Sequence, residues 1–254
     1  MSIDDENEFL QKLRNKTLQL GQDGHMKGDS VRLFKLLNNY DYSYLWSWMG
    51  VPIIQIPPDI VATQEAIWST KPDVIVDVGV ARGGSVILMA SVLSALGNPN
   101  SVVVGVDIDV RPHNRQTITN HPLSHKVRLV EGNSLDPVTF SRVKELIQSD
   151  SRVMVVLDSD HSYEHVLAEC RLYSELVTSG CYLVVTNTIL GRLDETDTIR
   201  RSKVYKKGDD PLTALQSFLS QNNQFRVDEY LNGKLVFSQS YGGFCLRVED
   251  RAEE

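Results

Sequence analysis

Leu157-Asp-Ser-Asp-His161 places two carboxylates and an imidazole within four residues, at the end of an apolar run. Histidine titrates near neutrality and serves as a general base, while aspartate can orient it or ligate a metal. Asp158, Asp160 and His161 are therefore the candidate catalytic residues, although only some of them can face one cleft. Asp160 has a second reading, as the N-cap of a helix starting near Ser162, and His161 has one as a structural hydrogen-bond partner. His165, one helical turn on, reads as packing or surface. The other constellation is Asp73-Val-Ile-Val-Asp-Val-Gly-Val-Ala-Arg-Gly-Gly-Ser85. A β-branched run ends in Asp77, and a glycine turn with Gly79, Ala81, Arg82, Gly83, Gly84 and Ser85 follows at once. Glycine lets the backbone approach a ligand closely. The Gly-x-x-x-Gly-Gly spacing departs from the dinucleotide fingerprint. An acid before the turn suits a cofactor carrying a cationic amino group, such as S-adenosylmethionine, better than a pyrophosphate.

These residues need elements to hold them, and from Asp73 onward the pattern supplies strands and helices in alternation. Strands are expected at Val74–Val78, Ser101–Val106, Lys126–Val130, Val153–Leu157 and Cys181–Val185. Helices are expected at Ser85–Leu96, Arg111–Asn120, Asp136–Ser149 and Tyr163–Ser179. Such alternation builds a doubly wound parallel sheet, and unbroken apolar strands are buried on both faces. Ligands of such sheets sit at the carboxyl ends of the strands, and all five ends here are polar. Besides Asp77 and Asp158, they offer Asp107 and Asp109 for ribose hydroxyls, Gly132, Asn133 and Ser134 for an adenine, and Thr186 with Asn187. A solvated cap explains one such end more simply than five in succession.

The tail predicts the helix Pro211–Leu219 and strands at Phe225–Tyr230, Leu235–Ser238 and Phe244–Val248, with Asn232-Gly233 as a hairpin turn. A late antiparallel hairpin is the topology of methyltransferases rather than of dehydrogenases. Thr188–Asp210 reads as a mobile loop over the strand ends. Residues 1–70 read as an arm packing on the core or a neighbouring subunit, ahead of a cofactor-binding domain at 71–254. Within the arm, Phe9–Leu20 has helical spacing and Asn39–Gly50 is dense in aromatics. Pro52–Pro58 is expected to be extended, and Asp59 to cap a helix through about Ser69.

The chain has 254 residues, 41% of them hydrophobic, which is enough for one large α/β domain with an arm. A net charge of −7 argues against a nucleic-acid face, despite basic residues at Arg200-Arg201, Lys203 and Lys206-Lys207. Three scattered cysteines fit neither a disulfide scaffold nor structural zinc. The acidic N-terminus carries no signal-peptide pattern and no apolar run is long enough to span a bilayer, so a cytoplasmic, non-membrane protein is expected.

With these residues in place, the chain resembles the cephalosporin hydroxylase and rhamnosyl O-methyltransferase family. The resemblance runs from about Tyr42 to Arg247. Its pieces are Trp48-Met-Gly-Val-Pro52, Gln55-Ile-Pro-Pro-Asp59, Pro72–Ser85, Gly105–Arg111, His121-Pro-Leu123, Leu157–His161 and Gly208-Asp-Asp-Pro211. It implies a Rossmann-like class I methyltransferase: a mostly parallel seven-stranded sheet with a C-terminal antiparallel hairpin, behind an N-terminal helical and aromatic arm. It also implies S-adenosylmethionine, Mg²⁺ and a homo-oligomer. Hydroxylation does not follow, because the sequence has no His-x-Asp or His-x-Glu pair of an iron facial triad. One departure matters. The family usually ends its fifth strand in Glu-Asp, which ligates metal opposite the counterpart of Asp158, whereas this chain has Thr186-Asn187. Asp158 with Asn187 is left as a weakened metal site, since hard cations prefer anionic oxygen.

The expected function is S-adenosylmethionine-dependent O-methylation of a hydroxyl on a sugar, glycolipid or natural product, with weak or absent metal dependence. Two rival readings are a degenerate member that binds the cofactor without methylating, and a nucleotide- or NAD-dependent oxidoreductase.

Overall fold

The computed structural model describes residues 3–193 and 207–248. The chain opens with helices α1 (Ile3–Gln22) and α2 (Gly24–Asn38), the second capped by the Asp23 carboxylate, which accepts from the His25 and Met26 N–H groups. A small antiparallel ribbon of β1 (Trp46–Trp48) and β2 (Val51–Ile53) leads into α3 (Pro57–Thr70). The alternating domain then runs through β3 (Val74–Val78), α4 (Gly84–Leu96), β4 (Val102–Asp107), α5 (Pro112–Thr119), β5 (Val127–Glu131), α6 (Pro137–Glu145), β6 (Val153–Leu157), α7 (Tyr163–Tyr173) and β7 (Tyr182–Val185). It finishes with α8 (Pro211–Gln221), β8 (Phe225–Val227), α9 (Glu229–Lys234) and β9 (Phe244–Arg247).

Seven strands form one sheet in the order β5-β4-β3-β6-β7-β9-β8, with β9 antiparallel to both of its neighbours. In the centre, Val76 stands opposite Val104 and Val155. Successive side chains point to opposite faces. Val74, Val76 and Val78 therefore join the core under α6, α7 and α8, while Ile75 joins the core under α3 and α4. Each buried aliphatic side chain contributes roughly 1.5–3 kcal/mol. The first strand order reversal lies between β3 and β6, which adjoin although β4 and β5 come between them in sequence. A ligand crevice opens at such a switch point.

The arm is tied to its own domain. Gly21 of α1 meets Gly233 of α9, where an added Cβ on Gly21 would stand 2.7 Å from the Gly233 Cα. Trp48 donates its indole N–H to Ser91 of α4, and Ile53, Ile60 and Leu88 form a small core beside Trp46 and Trp48.

Three expectations are corrected. The chain is extended only as far as Ile56: Pro57 and Pro58 occupy the first turn of α3, where a missing N–H costs nothing. Asp59 does not cap α3 from outside. It lies in the first turn, 2% exposed, and accepts from the Ser238 hydroxyl and the Gln239 and Ser240 N–H groups. Asn232-Gly233 is not a hairpin turn, because 229–234 is helical and capped by Asp228, and 235–238 forms no strand. The partner of β9 is β8. In the expected loop after β7, 188–192 is a 3₁₀ turn, and 194–206, with Arg200, Arg201, Lys203 and Lys206, lie outside the described residues. No described helix is long and apolar enough to cross a membrane.

Candidate functional site

Two groups of residues converge on the carboxyl ends of β3, β4, β6 and β7. The glycine turn after β3 uses positive φ at Gly79 (109°), Ala81 (46°) and Gly83 (94°). Gly79 is required twice over: its backbone is left-handed, and a Cβ would collide with the Asp158 carbonyl. The turn is clamped from the side. Ala81 donates its N–H to Asp107 Oδ2 at 2.9 Å and accepts from Asn114 Nδ2 at 2.8 Å. Asp107 Oδ1 takes the Asp109 N–H at 3.1 Å, so each oxygen of this partly exposed carboxylate keeps one acceptor site.

Asp77 is fully buried beneath the turn. Ser85 donates to Oδ2 at 2.6 Å, while Oδ1 is buried without a partner. Burial pushes this carboxyl up to about 8. The Ser85 hydrogen bond opposes the rise, and the Asp158 and Asp107 charges reinforce it. Three carboxyl groups gathered at the strand ends suit a ligand with a positively charged group, which would favour the ionised form of Asp77.

The second group centres on Asp158. Its Oδ1 accepts from Thr186 Oγ1 and Asn187 Nδ2, both at 2.6 Å. His161 Nε2 lies 3.1 Å from Asn187 Nδ2 and 3.6 Å from the same carboxylate oxygen. Facing an amide NH₂, Nε2 can serve as the acceptor, in the tautomer whose ring proton is on Nδ1. Asn187 is held in place by a left-handed backbone (φ 55°) and by Gln239 Nε2, which donates to its Oδ1 at 3.3 Å.

The remaining candidates are dispersed. Asp160 accepts the Ser162 N–H at 2.8 Å, in a turn at the entrance of α7. Arg82 is exposed, 3.3 Å from His113, and Asp109 is 3.9 Å from Arg111 on the surface. Gly83 and Gly84 are packing positions, one against Ile118 and one against Ile53. Gly132 receives no side-chain role but donates its N–H to the Asp107 carbonyl. Asn133 accepts the Leu135 N–H, and Ser134 turns inward to Glu169 Oε1 at 2.5 Å. His165 and Ser159 join that same buried glutamate. Sequence reasoning missed Glu169, Gln55 and Gln239, of which only Gln55 belongs to a segment that had drawn attention.

The site fits S-adenosylmethionine, with an unpartnered buried carboxylate oxygen, a side-chain-free cradle at Gly79 and the acceptor sites of Asp107. For Mg²⁺ it offers one carboxylate, one hydroxyl and one amide. Among the described residues no group of three or more His, Cys, Asp or Glu is gathered as a metal site.

The sequence model of the rhamnosyl O-methyltransferase/CmcI family matches residues 40–248. The chain is 30% identical over 158 residues to the rhamnosyl O-methyltransferase of Mycobacterium leprae, covering 59% of this chain and 65% of that protein. It is 26% identical over 215 residues to the rhamnosyl O-methyltransferase of Mycobacterium bovis, covering 79% and 78%. Two solved structures share its fold. A Mg-SAM structure of CmcI aligns with a TM-score of 0.56 at 16% identity, over 81% of this chain and 78% of that one. An O-methyltransferase from Bacillus cereus in complex with SAH aligns at 0.51 and 14%, over 78% and 81%.

Proposed function

The chain belongs to the rhamnosyl O-methyltransferase/CmcI family, and from that premise we propose that it transfers a methyl group from S-adenosylmethionine to a sugar hydroxyl. The sugar acceptor is inferred from the rhamnosyl methyltransferases that the chain resembles. One observation carries the reading: the Asp158 backbone lies against Gly79, so the His161 cluster stands directly beside the cofactor turn. The cofactor, when bound, supplies an electrophilic sulfonium methyl. The protein has to orient the acceptor and take its proton. His161 Nε2, once the acceptor hydroxyl replaces Asn187 Nδ2 as its partner, receives the hydroxyl proton. Asp158 stands 3.6 Å from that nitrogen, where it stabilises the imidazolium that results. Thr186 and Asn187 fix the carboxylate, and orientation contributes most of the rate in such a displacement.

Mg²⁺ on this reading binds weakly, through Asp158 and the Asn187 amide oxygen after the amide turns. Exposed apolar residues on the arm support a homo-oligomer, and three buried free cysteines fit a reducing cytoplasm. The family match lends no support to an oxidoreductase. Purified protein should transfer labelled methyl from S-adenosylmethionine to a rhamnosylated acceptor, and His161→Ala should lower that rate about 10²–10⁴-fold, the usual contribution of a general base. Cofactor binding without transfer to any hydroxylated acceptor would establish the degenerate reading instead.

A further inference from the structure

The arm segment Pro52–Gln55 crosses the glycine turn. Gly84 admits it, because a Cβ there would stand 2.5 Å from the Ile53 Cα. Between them lies a small cleft, lined by Ile53 and Gln55 from the arm, Ala81, Arg82 and Ser85 from the turn, and Asp158. Gln55 is 7% exposed, and its Oε1 is buried without a hydrogen-bond partner. Asp77 Oδ1, at the foot of the same turn, is a second buried acceptor without a partner. Buried polar groups in folded proteins find partners. Two orphaned acceptors, one on a residue lining the cleft and one buried under the turn that lines it, call for a ligand group rich in N–H donors. Another carboxylate would add to the charge of Asp107 and Asp158, whereas an amide accepts without charge.

We propose that Gln55 is a cofactor-binding residue, whose amide oxygen accepts from the α-ammonium of S-adenosylmethionine while Asp77 takes a second of its protons. The proposal rests on the methyltransferase reading, and it makes the arm part of the cofactor site. The nucleoside, with its ribose at Asp107, lies outside the cleft that Gln55 lines.

Calorimetry on the full chain separates the two ends of the cofactor. S-adenosylhomocysteine carries the amino-acid end, and 5′-methylthioadenosine has the same nucleoside and thioether without it. Gln55→Leu keeps the side-chain bulk and removes the acceptor. The expected result is a tenfold or larger rise in the dissociation constant for S-adenosylhomocysteine, with that for 5′-methylthioadenosine unchanged. Equal weakening of both, or of neither, overturns the proposal. Gln55→Glu restores an acceptor and should keep the wild-type preference for S-adenosylhomocysteine, even if the leucine variant folds poorly; loss of that preference in Gln55→Glu also overturns it. Wild-type protein that is folded yet binds neither compound defeats the methyltransferase reading itself, and the role of Gln55 with it.

Discussion

Asp77 shows how a single buried atom sets the conditions for a site. Its carboxyl titrates near 8 in the folded protein against an ordinary value of 3.8. Between those values the unfolded chain has released this proton and the folded one still holds it. The folded state therefore loses stability through this group as pH rises from about 4 to 8. Thermal melts of ligand-free Asp77→Asn protein should show less of that decline than wild type. On the proposed placement cofactor binding acts in the opposite sense, because an ammonium beside Asp77 would favour the ionised carboxylate. Affinity for S-adenosylhomocysteine should rise from pH 6 to 8 with proton release, measured by calorimetry in buffers of different ionisation enthalpy. A pH-independent affinity would remove Asp77 from the ammonium site. Asp77 and the turn above it are legible in the sequence, because strand, acid and glycines are contiguous. Gln55, Gln239 and Glu169 are not, because each acquires its meaning from partners brought in by tertiary packing. Gln239 and Asn187, for example, are 52 positions apart.

Among the elements, the parallel strands are readable as apolar, valine-rich runs, interrupted in β5 by Arg128, and their residues line both faces of the sheet. The tail misleads. Asn-Gly between apolar residues is a hairpin signal, yet the Asp228 cap and the contact of Gly233 with Thr17 of α1 favour helix there. The end of β7 is the element on which metal dependence turns. Thr186 and Asn187 satisfy Asp158 with hydrogen bonds instead of adding charge. A divalent ion then gives up hydration for one carboxylate rather than three. Mg²⁺ titration should show tighter binding by at least about tenfold in the double variant Thr186→Glu with Asn187→Asp, provided the strand end keeps its geometry. Wild-type turnover should survive chelation at least in part. Tight Mg²⁺ binding by the wild type, with all activity lost to chelator, would show that Asp158 and its neighbours build a metal site without the acidic pair.

At the scale of the molecule, the arm both lines the cleft at the glycine turn and exposes apolar side chains. Phe9 and Leu10 are each 54% exposed on α1, Leu36 is 56% exposed on α2, and Leu45 is 66% exposed before β1. Exposed apolar side chains concentrated on one segment suit an interface between chains. Light scattering at micromolar concentration should give a mass of at least two chains, and Phe9→Glu with Leu10→Glu should lower it. A monomer mass for the wild type would leave the arm as a cover for its own domain. The Asp59 contacts carry a consequence for biosynthesis. This carboxylate is buried only once Ser238, Gln239 and Ser240 reach it, up to 181 positions further along. A ribosome delivers the carboxylate long before its donors, and contacts so distant in sequence slow folding. The nascent chain therefore waits with Asp59 unpaired and Gln239 away from Asn187 until residue 240 has emerged, and a product truncated before Ser238 cannot assemble the site described.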